Sequence, residues 1–261
     1  MALYLIGLGL GDERDITLKG LDAVKRCKKV YLELYTSQLH TKNIPRMEKL
    51  FGKKIQLASR ETVEEDASLL IQEAKKQDVA LLIVGSPLSA TTHMELVLQA
   101  RKKKVPVYVI ENASVLTAVG ITGLFLYKFG RVTTIPFDKK NAPGYELYQD
   151  IRKKPASFEN AAIITPYETY LENKEQGLHT LFLLDIQGEK MMSAQQGCEY
   201  LIKQGLPKTT KVIACAALGS MQQGIQIAEA QKIKLSHFPQ CLILPGTLNF
   251  KEEEALALYQ Q

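Results

Sequence analysis

Residues 7–15, GLGLGDERD, follow the short apolar run LYLI at residues 3–6. Glycines placed directly after such a strand let the backbone come close to a ligand, and the ligand usually met there is a nucleotide phosphate. Here Asp12, Glu13 and Asp15 follow at once. A dinucleotide fingerprint needs G-x-G-x-x-G, whereas Gly7, Gly9 and Gly11 give G-x-G-x-G, with Asp12 at the third glycine's place. Glu33 does lie about twenty residues on, where a ribose-binding acid would stand. The next helix, however, begins only near Thr17, too late for its N-terminus to meet a pyrophosphate. Three carboxylates would also repel a diphosphate at close range. A P-loop is excluded, because no Gly-Lys-Ser/Thr follows.

Two readings of the loop stay open. One is a tight glycine turn with its acids in solvent. The other is a site for an unphosphorylated ligand with a positive centre, of which S-adenosylmethionine is an example. The remaining chemistry-bearing residues are scattered. Cys27, Cys198, Cys215 and Cys241 are far apart, and with His40, His93, His179 and His237 they form no metal-ligand spacing, so no metal is expected. Cys215 and Cys241 lie in apolar runs and read as small buried hydrophobes. There is no nucleophile elbow and no triad-like pairing, so no catalytic acid, base or nucleophile is assigned. Asp12 and Glu33 read as solvated acids.

The elements that would position such a loop alternate along the chain. LYLI, VYLELY (30–35), VALLIVG (79–85) and VPVYVIE (105–111) read as strands. Residues 17–28 read as a helix with Thr17 as N-cap and Leu18, Leu21 and Val24 on one face. Thr62 with Glu65, and Thr92 with Glu95, are candidate capping boxes for two more helices. Residues around Pro45 read as a loop. After the small, glycine-dotted NASVLTAVGITG (112–123), strand-like runs resume at RVTTIPF, HTLFLLDI (179–186), KVIACAAL (211–218) and CLILPG (241–246), with a closing helix from Lys251. The pattern predicts an α/β fold with a largely parallel sheet, in two α/β domains, 1–112 and 113–261. Residues 138–160 are polar and proline-punctuated and read as an exposed excursion.

Composition sets the outer limits. A chain of 261 residues, 46% apolar and 23% charged, is long enough to bury a real core. Its longest apolar runs fall short of a membrane span, and its N-terminus shows no secretory pattern, so a cytoplasmic protein is expected. The net charge of +5 and runs such as RKKK (101–104), without interleaved aromatics, do not describe a nucleic-acid surface.

Taken together, YLIGLGLGDERDITLKGL, YLELYTS, GSPLSATTH, NASVLTAVGITGL, LYKFG and GLHTLFLLDI resemble the diphthine synthase family, part of the tetrapyrrole-methylase-like class of S-adenosylmethionine methyltransferases. The match runs over nearly the whole chain, and the length is similar to the archaeal members. The resemblance implies two α/β domains of the tetrapyrrole methylase fold, with S-adenosylmethionine in the cleft between them and S-adenosylhomocysteine as its product. It also implies a homodimer with no nucleic-acid or membrane partner. The implied substrate is translation elongation factor 2, on a histidine already carrying a 3-amino-3-carboxypropyl arm. The arm's amino group is methylated to diphthine in archaea, and eukaryotic relatives also methylate the carboxylate.

Carried over by position, the resemblance assigns cofactor contacts to Leu10, Ser114, Val115 and Leu184. Five further positions depart from the family pattern. Ser86 stands where Gly-Asp-Pro supplies an acid, and Ser89 replaces an apolar residue. Leu218 and Ala217 stand in AALGS for the usual ARAGS, and Gln240 replaces a histidine. Without the resemblance, Ser86, Ser89 and Ser114 read as helix caps, and Leu184 and Leu218 as core. The nucleophile must be a neutral amine. An α-amino group titrates at roughly 7.7–8.0, so a neutral fraction exists without a dedicated base. Alternatives are a methyltransferase of the same fold acting on a tetrapyrrole or ribosomal RNA, or a non-catalytic module that has lost the cofactor.

Overall fold

A computed structural model describes residues 1–65, 67–137 and 165–259, so the expected 138–160 excursion lies outside the described residues. The chain divides into two compact units: Met1–Ala118 with Ala217–Gln223, and Val119–Ala216 with Gly224–Gln261. The segment Ala217–Gln223, read from sequence as part of the second half, thus packs with the first unit.

The first unit is a wholly parallel sheet with helices on both faces. Its strands are β1 (Leu3–Gly7), β2 (Lys29–Glu33), β3 (Ile55–Ala58), β4 (Val79–Ile83) and β5 (Val107–Ile110), in the order β3-β2-β4-β1-β5. The run VALLIV explains the two-sided burial. Val79, Leu81 and Ile83 face one core with Leu96 and Val97, while Ala80, Leu82 and Val84 face the other with Ala23 and Val24.

Helix α1 (Leu18–Arg26) has Thr17 as its cap, accepting from the Gly20 N–H at 3.0 Å. Its buried face is Gly20, Ala23 and Val24, and Leu18 is exposed, contrary to the expected stripe. Small residues win there because Ile6 lies against the helix: a Cβ on Gly20 would come within 3.0 Å of it.

The stretch around Pro45 is a helix, α2 (Ile44–Phe51), not a loop. Proline is tolerated in a first turn, and Asn43 caps it. Neither expected capping box forms as read. The chain makes a π turn at Glu61–Glu65 before α3 (Ser68–Ala74), and the Thr62 N–H donates to Ser59 Oγ. Helix α4 (Met94–Lys102) has no side-chain cap, because the Thr92 hydroxyl donates to Glu64 instead. A short turn of helix, α5 (Val115–Ala118), ends this unit's first segment.

The second unit holds β6 (Thr133–Ile135), α6 (Pro166–Glu175), β7 (Thr180–Leu184), the hairpin β8 (Ile186–Gln187) and β9 (Lys190–Met191), and α7 (Ala194–Gln204). It continues with β10 (Lys211–Ala216), β11 (Gly224–Glu229), β12 (Gln240–Leu244) and α8 (Phe250–Ala257). Its sheet order is β11-β10-β12-β7-β6, and only β6 and β7 pair in parallel. The expected parallel sheet is therefore confined to the first unit. Antiparallel pairing prevails here because a short connection, not a crossover helix, joins β10 to β11.

Helix α8 is fastened through Glu252, which is fully buried. Its carboxylate accepts from Phe125 N at 3.0 Å, Asn249 N at 3.0 Å, Lys128 Nζ and His179 Nε2 at 2.9 Å. The Gly246 N–H donates to His179 Nδ1, which leaves the ring's proton on Nε2. Burial pushes the Glu252 carboxyl up, but these donors outweigh it and bring it down to about 2. The depressed value means stabilisation that is complete above the unfolded carboxyl's range and lost as pH falls toward 2. Glu252→Gln is expected to cost about 3 kcal/mol near neutral pH. In urea unfolding, the gap between variant and parent should narrow from about pH 6 to about pH 3. A constant gap would show that the charge contributes nothing.

Candidate functional site

Loops that follow neighbouring parallel strands and leave to opposite faces open a crevice at the strands' carboxyl ends. In the first unit β1 and β4 are such neighbours, since α1 packs on one face of the sheet and α4 on the other. The glycine loop leaves β1 and the 85–93 loop leaves β4. They are tied at once: Gly9 N donates to Gly85 O at 3.2 Å and Gly85 N to Gly9 O at 2.8 Å. Gly7 must lack a side chain, because a Cβ there would lie 2.6 Å from Gly85 O. Gly9 and Gly85 both have positive φ, +75° and +80°.

The acids after the glycines have separate tasks. Asp15 Oδ2 accepts from Gly11 N at 2.7 Å and from Leu10 N at 3.3 Å. The chain's own carboxylate therefore occupies the donors that would otherwise cradle a phosphate. Asp12 caps the short turn Glu13–Asp15 and holds Arg14 through both oxygens, which keeps its carboxyl below the usual range. Glu13 is buried and pairs with Arg46 on α2 at 2.9 Å. Asn112, just past β5, donates to Gly7 O at 2.9 Å and to Asp15 O at 3.0 Å, so it locks the loop from the third strand.

Ser86 is buried and does not cap α4. Its hydroxyl donates to Glu111 and accepts from Asn112 N at 3.4 Å. The acid that the family pattern puts at position 86 thus has a counterpart two strands over, past β5, which sequence reasoning missed. Ser89 is half-buried in a turn, its N–H donating to Ser86 O at 3.1 Å, next to Ala90 at φ +57°. Ser114 does cap α5, accepting from Leu116 N at 3.2 Å, and Val115 opens that turn. Leu218 is buried in the segment that covers the glycine loop, where a Cβ on Gly219 would meet Leu10 at 2.9 Å. The structure thus gathers Leu10, Ser86, Ser89, Ser114, Val115 and Leu218 in one unit.

Leu184 and Gln240 belong to the second unit. Leu184 is part of its core. The Gln240 amide is fully used, accepting from Ala194 N at 2.7 Å and donating to the carbonyls of Leu235 and His237.

Other expectations change more sharply. Glu33 is not solvated but fully buried at the end of β2. Burial raises its carboxyl, opposed by bonds from Thr36 and Tyr35. A signal was there to read, since an acid closing an apolar strand with Thr three residues on can bond its own turn. All four cysteines are buried and free, and no cluster of three metal-ligating side chains occurs among the described residues.

At Gly85 the backbone is open: a Cβ would meet only Ala113 O at 3.9 Å and Leu10 Cδ2 at 4.0 Å. Room framed by an apolar side chain and a carbonyl, where Asp15 already holds the Leu10 and Gly11 N–H groups, suits an unphosphorylated, partly apolar ligand.

Comparison with known proteins gives the chain its relatives. The family described as Tetrapyrrole (Corrin/Porphyrin) Methylases matches residues 2–234. The chain is similar to a diphthine synthase of Methanocaldococcus jannaschii, 38% identical over 97% of both chains. It is also similar to a probable diphthine methyl ester synthase of Arabidopsis thaliana, 40% identical over 99% of this chain and 98% of that one. A crystal structure of a diphthine synthase superposes with a TM-score of 0.83 at 32% identity, covering 99% of this chain and 96% of the other.

The wiring of Ser86 to Glu111 makes a charge prediction. Ser86→Asp puts a second carboxylate beside the first, so it should lower the thermal midpoint, and Glu111→Gln in the same chain should restore it. The expected coupling is about 0.5–3 kcal/mol. Equal stability of Ser86→Asp and the parent would refute the contact.

Proposed function

The chain belongs to the tetrapyrrole methylase family, in its diphthine synthase branch, and from that premise we propose that S-adenosylmethionine binds at the carboxyl ends of β1, β4 and β5. The chain is a methyltransferase of diphthamide biosynthesis. The single observation that carries the cofactor reading is Asp15 on the N–H groups of Leu10 and Gly11. It removes the phosphate site while leaving the glycine-thin backbone. Leu10, Gly85 and Ala113 would hold the ligand, with Ser86, Ser89, Ser114, Val115 and Leu218 around them. When bound, the cofactor supplies a methyl group on a sulfonium whose leaving group is a neutral thioether.

The chain's own part is orientation. Asn112, Asp15 and the paired Gly9 and Gly85 fix the loop backbone before any ligand arrives, and such preorganisation is what an in-line displacement needs. The acceptor proposed is the amino group of the 3-amino-3-carboxypropyl histidine of translation elongation factor 2. The protein is proposed to act as a cytoplasmic homodimer. No described helix is long and apolar enough to cross a membrane.

A second acceptor is favoured by one observation, the name of the plant relative, which specifies a methyl ester. The test separates the two. Elongation factor 2 carrying the modified histidine is incubated with the protein and S-adenosylmethionine, and the product is weighed before and after mild alkali. Alkali-stable methyl groups on the modified factor, and none on the unmodified one, are expected. Alkali-labile methyl groups alone would move the acceptor to the carboxylate. Equal labelling of modified and unmodified factor would remove the substrate assignment.

A further inference from the structure

His93 closes the loop that Ser86 opens. Its ring is 1% exposed and neither nitrogen completes a hydrogen bond of good geometry, although the Pro87 carbonyl faces it. A neutral imidazole carries one donor and one acceptor, and buried polar atoms of native proteins are bonded in the large majority of cases. A second such group lies in the same region: the hydroxyl of Tyr35, two residues past β2, is buried and completes no hydrogen bond of good geometry, although the Glu64 carboxylate faces it. Of the four buried side-chain atoms without a partner among the described residues, three belong to this pair.

Glu64 links them. Its carboxylate accepts from the hydroxyl of Thr92, the residue before His93, at 2.6 Å. It stands 3.7 Å from Arg60, whose guanidinium lies 5.3 Å from the Tyr35 ring centre. Strands β2 and β4 are neighbours, so this group occupies the same carboxyl edge as the glycine loop, on the β2 side of β4. One loop thus has the proposed cofactor region at its start and His93 at its end.

Burial holds the His93 ring below the usual imidazole range, against the opposing pull of Glu64 and the Pro87 carbonyl. The charged groups around it are Glu64 of the π turn, Arg60 just before that turn, and Glu33 beyond Tyr35. Strand β5, which also packs on α4, carries Tyr108 as its titratable group. The ring is neutral at physiological pH, with an unused lone pair beside a carboxylate. An ammonium group complements that arrangement: the carboxylate attracts the charge and the lone pair accepts a proton.

We propose that Tyr35, Glu64 and His93 form the subsite for the substrate's amino group, with His93 taking a proton from the ammonium; this rests on the proposed amine acceptor. The proton passes from nitrogen to the imidazole, and the freed nitrogen lone pair takes the methyl group. Sulfur keeps the electron pair of the broken carbon–sulfur bond, and His93 returns its proton to water. The same sequence serves each successive methylation until no N–H remains.

The test uses the full chain and elongation factor 2 bearing the modified histidine, in single turnover across about pH 6 to about pH 8. With His93 as base, the parent's rate should be nearly flat over that range. His93→Gln should lower it most at about pH 6 and restore a rise of up to about tenfold per pH unit that levels off toward roughly pH 8, because the amine must then ionise unaided. S-adenosylhomocysteine affinity, by calorimetry, should not change; a matching loss would place the cofactor's own amino group here instead and overturn the assignment. Tyr35→Phe guards against a folding artefact. It removes one hydroxyl and keeps the ring, so it should leave the melting temperature within about 2 °C of the parent's while raising the acceptor KM. A His93→Gln variant with the parent's rate and pH profile overturns the proposal, as does a product methylated only on the carboxylate, which releases no proton. A parent that labels no modified factor instead refutes the function from which the proposal proceeds.

Discussion

The carboxylate of Asp15 on the N–H groups of Leu10 and Gly11 is the contact from which the site's character follows. A glycine loop offers unpaired donors, and something anionic must take them. In phosphate-binding folds the ligand does so. Here the chain supplies the anion itself, so the loop is finished before any ligand arrives. Asn112 then extends the lock, because its amide donates both to Gly7 O and to the carbonyl of Asp15. A segment fastened at both ends can present glycine-thin backbone to a ligand without adding positive potential.

The two units differ in how completely they bond their buried polar groups. In the second unit Glu252, His179 and Gln240 are buried and fully bonded, and each fastens a strand or helix to another segment. In the first unit the buried ring of His93 and the hydroxyl of Tyr35 complete no hydrogen bond of good geometry, with the Pro87 carbonyl and the Glu64 carboxylate facing them. An unbonded buried donor or acceptor costs about 1–3 kcal/mol. Such a cost at the carboxyl edge of a parallel sheet is typical of a site that holds a ligand and not of scaffolding.

Much of the first unit was legible in the sequence because its signals were local. VALLIV divides cleanly between two cores, Thr17 caps its helix, and the mismatch of Gly7, Gly9 and Gly11 with the dinucleotide spacing had a structural cause in Asp15. What the sequence hid was decided by partners distant along the chain. Ser86 looks like a cap until Glu111 is placed one strand beyond its neighbour, and Thr92 looks like a cap until Glu64 takes its hydroxyl. Strand β11 was missed because GIQIAE has little apolar weight, and its pairing to β10 supplies what propensity does not. Proline at position 45 pointed to a loop, yet in the first turn of a helix its missing N–H costs nothing.

His93 shows the same limit most plainly. In GSPLSATTH it is one histidine after two threonines, and nothing local separates a ring on the surface from one sealed in the core. Its neutrality comes from burial, and its burial comes from the π turn at Glu61–Glu65 packing against α4. That turn also brings in Glu64, the one carboxylate placed to oppose the desolvation. A π turn widens a helix by one residue and is frequent at functional sites. Here it does two things together: it excludes water from the imidazole and sets a negative charge beside it. These are the conditions under which a histidine stays unprotonated yet still attracts a cation.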